Sequence, residues 1–170
     1  MKYVYPVDSL FTGSSLGNRA AFARLDERTN VHGLWSAADN AYYLGAWNGE
    51  IHVNGRRLTP VETIFEPEAQ ATRYASSDGE AEQRFVLPFL LEPSREDEEK
   101  LRAGIFLIRL WNTGSRAADV VVSHRLIIPA VASDKFTKNP PAELVSERFT
   151  MVQKSTSVEI TSLAHPHRTR

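Results

Sequence analysis

Between Gly104 and Pro129 the chain reads GIFLIRLWNTGSRAADVVVSHRLIIP, and this stretch limits the possible folds more than any other. Two β-branched runs flank a short polar break at Asn112-Thr113-Gly114-Ser115. In the first run Ile105, Leu107, Arg109 and Trp111 alternate with Phe106, Ile108 and Leu110. In the second, Val120, Val122, His124, Leu126 and Ile128 alternate with Val121, Arg125 and Ile127. Period-two alternation is the mark of extended chain, because successive side chains of a strand point to opposite faces. An Asn/Gly break between two such runs predicts a β-hairpin. Large apolar groups on both faces predict that this hairpin lies inside a sheet covered on both sides.

The remaining sequence supplies shorter strands. Residues 1–13 read as a lead-in interrupted by Pro6 and Gly13. Ala21, Ala23 and Leu25 alternate with Phe22 and Arg24, and the polar break Asp26–Asn30 returns the chain into Val31–Trp35 as a hairpin. Ile51–Val53 and Arg56–Leu58 flank Asn54-Gly55, two residues that tolerate the positive φ of a tight type I′ turn. A further hairpin runs from Glu62 to Tyr74 and from Ala81 to Phe89, turned at Ser77-Asp78-Gly79, with Pro67 breaking or bulging its first arm. Pro93–Leu101 is the one helical signal: Ser94 suits an N-cap and acids crowd the first turn, but no apolar stripe follows. Ala132–Glu143 reads as a long exposed loop, and Phe149–Gln153 with Val158–Leu163 as a last strand pair. About ten short strands and no βαβ alternation predict an all-β fold, an antiparallel β-sandwich with at most one short surface helix. A chain of 170 residues fits one domain, with its core at 14–163 and a tail at 164–170.

Charge and composition exclude several function classes. The 20 Lys and Arg and 21 Asp and Glu are scattered, so the basic footprint of a nucleic-acid binder is missing. Without cysteine there are no disulfides, no thiol catalysis and no Cys-ligated zinc. The opening MKYVYPVDSLF lacks the apolar core of a signal peptide, and no uncharged run has the length of a membrane helix. The expectation is a soluble, cytoplasmic protein with no nucleic-acid or membrane partner.

Catalytic chemistry has little to work with. Glycoside hydrolysis needs two carboxylates roughly 5–10 Å apart across the scissile bond. Glu80 with Glu82, and the Glu96–Glu99 cluster, lack the apolar setting that raises a carboxyl pKa, so they read as solvated charge. The five histidines form no His-Glu-x-x-His pattern, and His165-x-His167 falls in a Pro-containing tail. His124 alternates with core residues and reads as a hydrogen-bonded, half-buried imidazole. No G-x-S-x-G elbow is present. No catalytic residue, metal ligand or cofactor is therefore assigned. The most suggestive stretch is aromatic: Trp35, Tyr42, Tyr43 and Trp47, with Asn40 and Asn48 beside them. Sugar rings stack C–H faces on Trp and Tyr while amides bond their hydroxyls, so Trp35, Tyr42, Tyr43, Trp47 and Asn48 form a candidate glycan platform. The competing reading places these aromatics in the core or at an interface, and Trp111 reads as core.

Three stretches resemble the N-terminal β-sandwich (supersandwich) domain of bacterial glucoamylase-like, glycogen-debranching-like and disaccharide-phosphorylase-like enzymes. They are Leu16-Gly17-Asn18-Arg19-Ala20-Ala21-Phe22-Ala23-Arg24-Leu25-Asp26, then Glu82-Gln83-Arg84-Phe85-Val86-Leu87-Pro88, and Arg109-Leu110-Trp111-Asn112-Thr113-Gly114-Ser115 with the Val-rich run after it. The resemblance spans residues 14–130 as a pattern. It implies a non-catalytic domain of a glycoside hydrolase or phosphorylase that packs on a catalytic six-hairpin α/α barrel and shapes its carbohydrate site. Acid and base carboxylates belong to that barrel, so the resemblance carries no catalytic residue onto this chain. It also implies a domain cut from a larger enzyme or a truncated relative, and an apolar flank favouring self-association. The alternative is a stand-alone immunoglobulin-like binding module, which the Leu110–Val122 pattern also suits; a small enzyme in its own right is a more distant third.

Overall fold

The computed structural model describes residues 1–9, 13–18, 20–37, 41–88, 103–127, 142–151 and 158–164; side-chain surroundings are described for these except at 41, 43, 44, 126, 127, 142–151 and 158–164. The segment 93–101, with its helical signal, lies outside the described residues, as do the loop at 132–141 and the tail histidines. Every regular element among the described residues is a strand: β1 (Tyr3–Pro6), β2 (Ser14–Gly17), β3 (Ala21–Leu25), β4 (Val31–Ser36), β5 (Ala41–Leu44), β6 (Ala46–Val53), β7 (Arg56–Arg57), β8 (Thr59–Glu66), β9 (Ala69–Ala75), β10 (Glu80–Val86), β11 (Gly104–Trp111), β12 (Ala118–Ile127), β13 (Ala142–Met151) and β14 (Val158–Ala164). They form two antiparallel sheets. The first runs β1-β8-β9-β10-β11-β14; the second runs β13-β12-β6-β4-β3-β2, with β5 on β4 and β7 on β6. The all-β sandwich expected from alternation is what the chain forms.

Several local turns follow the sequence signals. Asn54 and Gly55 adopt φ of 51° and 75°, and β6 and β7 close tightly around them. Ser76 accepts hydrogen bonds from the amides of Asp78 and Gly79 through its hydroxyl, which turns β9 into β10. The β3–β4 hairpin forms as expected, with Phe22 opposite Trp35 and Ala23 opposite Leu34.

Four expectations are corrected. The two runs of Gly104–Pro129 do not pair with each other. β11 pairs with β10 and β14 in the first sheet, whereas β12 pairs with β6 and β13 in the second. Residues 112–117 contain no positive-φ residue, so the tight hairpin turn is not made. Asn112 instead holds an open arch, accepting from the Gly114 amide at 3.0 Å and donating to the Arg116 carbonyl at 2.8 Å. Phe106 then meets His124 edge-on across the core, and Ile108, Leu110, Val120 and Val122 are buried in the same cluster. The terminal strands β13 and β14 likewise belong to different sheets. Pro67 breaks the expected arm rather than bulging it: it sits with Glu68 between the paired ends of β8 and β9, so the single arm from Glu62 to Tyr74 is two strands. Residues 3–6 are no lead-in; they pair with β8 as an edge strand.

The space between the sheets has two halves of opposite character. One is apolar: Trp47, Phe85, Phe106, Leu34, Leu87 and Ile108 are fully buried there. Trp47 stacks on Phe106 with centroids 4.7 Å apart and meets Phe85 edge-on. The other half is filled by backbone, because the Asp26–Asn30 turn tucks between the sheets. Asp26 shapes this turn, its carboxylate accepting from the amides of Arg28 and Asn30 at 2.8 and 2.9 Å. Buried Thr29 holds φ of 61° at its tip. The inward side chains of the first sheet then bond the turn's carbonyls. Gln70 donates to the Asp26 carbonyl, Thr63 and Thr72 to that of Glu27, and Tyr74 and Gln83 to that of Arg28. Ser14 also bonds Gln70, and Thr29 bonds Thr72.

A buried carbonyl stripped of its donor costs about 1–3 kcal/mol. Gln70→Met keeps the volume and removes the side-chain donor to the Asp26 carbonyl, which keeps the Thr29 amide, along with the side-chain bonds to Ser14 and Thr29. The protein therefore loses about that much stability. Urea unfolding followed by tryptophan fluorescence reads it; an unchanged midpoint would show that the turn is not held by this contact.

Candidate functional site

Trp35 and Tyr42 are opposite each other on β4 and β5, and Phe22 is opposite Trp35 on β3. Residues directly opposite across paired strands share a face, so the three aromatics form one row across the outer face of the second sheet. Phe22 is 37% exposed, and Trp35 and Tyr42 are half-buried. Small residues flatten the ground around them. A side chain at Gly33 would bring Cβ within 2.9 Å of the Tyr42 ring, so only glycine lets that ring lie down over β4. Beside the row stand Arg24 and His32, both exposed, with His32 Nε2 3.2 Å from the Asp26 carboxylate. The row thus sets three aromatic side chains, one of them exposed, beside hydrogen-bonding groups.

The sequence-predicted set divides between the two faces. Trp47 is excluded from the platform. It is 1% exposed, with its ring against Phe106 and its Nε1 donating to His124 Nδ1 at 3.1 Å, so no ring face is open to a ligand. Asn48, one residue on, points to the outer face opposite Arg125. Its Oδ1 is buried and accepts no hydrogen bond among the described residues. Asn48 lies near the Val31 end of β4, about 13 Å along the strand from Trp35 at the usual rise per residue. Tyr43 belongs to β5, but its side chain falls outside those described. The chain therefore brings Trp35 and Tyr42 together, separates Asn48, and buries Trp47. Phe22 is the member that residue-by-residue reading missed; its signal is the β3–β4 register, which sets it against Trp35.

Trp111 is also corrected: it ends β11 half-buried on the outer face, alternating with the inward Leu110. His124 is more deeply buried than expected, at 5% exposed. Its Nδ1 accepts from Trp47, which puts the neutral ring's proton on Nε2, and Nε2 has no partner among the described residues. Of the acids considered for catalysis, Glu80 and Glu82 are engaged in ion pairs, and the Glu96–Glu99 cluster lies outside the described residues. Arg84 reaches Glu66 at 2.7 Å and Glu82 at 3.3 Å, while Arg73 lies 2.9 Å from Glu62 and 3.9 Å from Glu80. Among the described residues no three His, Asp or Glu gather as a metal site, and no helix is long and apolar enough to cross a membrane. Compared with models of known protein families and with curated proteins, the chain matches none.

Burial holds the His124 imidazole below its ordinary pKa of 6.5. Below about that pH the unfolded chain takes up a proton that the folded chain refuses, so stability is lost as pH falls. His124→Asn keeps an acceptor for Trp47 and removes the titration. Urea midpoints measured from pH 7.5 to 5 then fall less steeply in the variant than in the parent; equal slopes would rule His124 out as the source.

Proposed function

We propose that this chain is a non-catalytic β-sandwich domain of a glycoside hydrolase or glycoside phosphorylase, packing on a catalytic α/α barrel and shaping its carbohydrate site. The observation that carries the reading is the row Phe22–Trp35–Tyr42, three in-register aromatics presented outward from neighbouring strands. Pyranose rings stack on such surfaces through their C–H faces, and Arg24 and His32 supply hydrogen bonds at the margin. The half-buried Val86, Ile105 and Leu107, which are neighbours on the outer face of the first sheet, support the packing role: they give that face a small apolar area of the kind a partner domain covers. The assignment of Glu80 and Glu82 to ion pairs with arginine fits a domain whose carboxylates serve structure rather than bond cleavage.

The test is titration calorimetry of the purified protein with maltose- and cellobiose-type oligosaccharides, alongside an assay for released reducing ends or sugar phosphate. Saturable binding to one series without turnover is the expected result. Trp35→Ala removes one stacking surface and weakens that binding about tenfold, the equivalent of roughly 1.4 kcal/mol. No measurable heat with either series, or a Trp35→Ala protein that binds like the parent, overturns the carbohydrate reading.

A further inference from the structure

A cavity of about 230 Å³ opens between the sheets where β7 hands the chain over to β8. Its lining joins the buried turn to both sheets: Arg28 and Asn30 from the turn, Gly49 from β6, Arg57 and Leu58 from the β7 end, and Thr59, Pro60 and Tyr74 from the first sheet. Leu58 and Tyr74 are buried and supply a largely apolar floor. The walls are held in place before any ligand arrives. Tyr74 Oη donates to the Arg28 carbonyl at 2.9 Å, the Gly49 amide donates to Asn30 Oδ1 at 3.3 Å, and Asp26 Oδ1 fixes the turn from beneath.

Two arginines, Arg28 and Arg57, stand at the mouth. Arg57 pairs with Glu50 at 3.2 Å, but both are about half exposed, where such a pair is weak and exchanges readily. Arg28 is exposed and makes no ion pair among the described residues. Asp26, in the turn, is occupied by the amides of Arg28 and Asn30, the Asn30 side chain and His32. Both guanidinium groups act on the Tyr74 phenol in the sense that favours its anion, although burial and Asp26 together push the phenol up. Two guanidinium forks over an apolar floor are suited to a planar or tetrahedral oxyanion carried on a small carbon skeleton.

We propose that this cavity binds a small oxyanion, a phosphate or a carboxylate, on a ligand of about monosaccharide size, held between Arg28 and Arg57. Thr59 and the Tyr74 oxygen face the ligand body, and the walls, already bonded to both sheets, need little rearrangement to receive it. The site shares no residue with the aromatic row, so it stands or falls independently of the carbohydrate-domain reading.

Calorimetry and ¹⁵N NMR titration at fixed ionic strength test it with four probes: glucose 6-phosphate, inorganic phosphate, citrate and glucose. Glucose 6-phosphate or citrate should bind at least tenfold more tightly than glucose, and the stronger of the two identifies the anion. Shifts should centre on the Arg28, Gly49 and Arg57 amides. Arg28→Ala and Arg57→Ala should each weaken binding at least tenfold while leaving the urea midpoint unchanged, since both side chains are exposed; Arg28→Lys should recover part of it. Glucose binding as well as its phosphate, equal shifts with sodium chloride alone, or an Arg28→Ala protein of parental affinity would each overturn the proposal.

Discussion

Everything in this sandwich depends on how a buried peptide turn is satisfied. Putting residues 26–29 between two sheets removes their carbonyls from water, and each unpaired one would cost as much as a good hydrogen bond returns. The inward faces of β8, β9 and β10 meet that demand with Thr63, Gln70, Thr72, Tyr74 and Gln83, where a sandwich would ordinarily place aliphatic groups. The result is a core of two textures. Around Trp47, Phe85 and Phe106 the sheets are joined by close-packed rings, and around Thr29 by directional bonds. Directional bonds fix spacing and orientation more tightly than apolar contact does, and that rigidity is what aims Arg28 and Asn30 at the cavity beside β7.

The same arrangement explains where the sequence was legible and where it was not. Strand positions follow from side-chain alternation, which is local. Turns were readable wherever backbone chemistry forces the issue, as at Asn54-Gly55, where both residues need positive φ. Pairing was not readable, because nothing in GIFLIRLWNTGSRAADVVV says whether two adjacent strands bond to each other or face each other across a core. Both arrangements bury the same Phe106, Ile108, Val120 and Val122. The polar half of the core inverted the usual inference as well. Gln70, Thr72 and Gln83 look like solvent-facing residues of an alternating strand, yet they point inward, while Ala69 and Ala71 occupy the outer side.

For the aromatic surface, composition located the region and geometry chose among its members. Trp47 and Asn48 are neighbours in a strand and so cannot serve one face. Which of the two turns inward follows from the partners: Trp47 finds Phe106 and a bond to His124, and Asn48 is left facing out opposite Arg125. Phe22 joined the row only once the register across Asp26–Asn30 was known, since its own surroundings in sequence are alanine and arginine.

The arch at 112–117 has a kinetic consequence. Because it sends the chain from one layer to the other, β11 finds its neighbours at residues 80–86 and 158–164, and β12 at 46–53 and 142–151. β11 cannot zip onto β12, the strand that follows it, and β12 takes one of its neighbours from far back in the chain, so much of the assembly must wait for ends distant along the polypeptide to meet. Topologies of that kind search slowly, with unprotected strand edges open to intermolecular association in the interval. A nascent chain that has emerged only as far as residue 127 would hold β11 and β12 with one flank of each still bare.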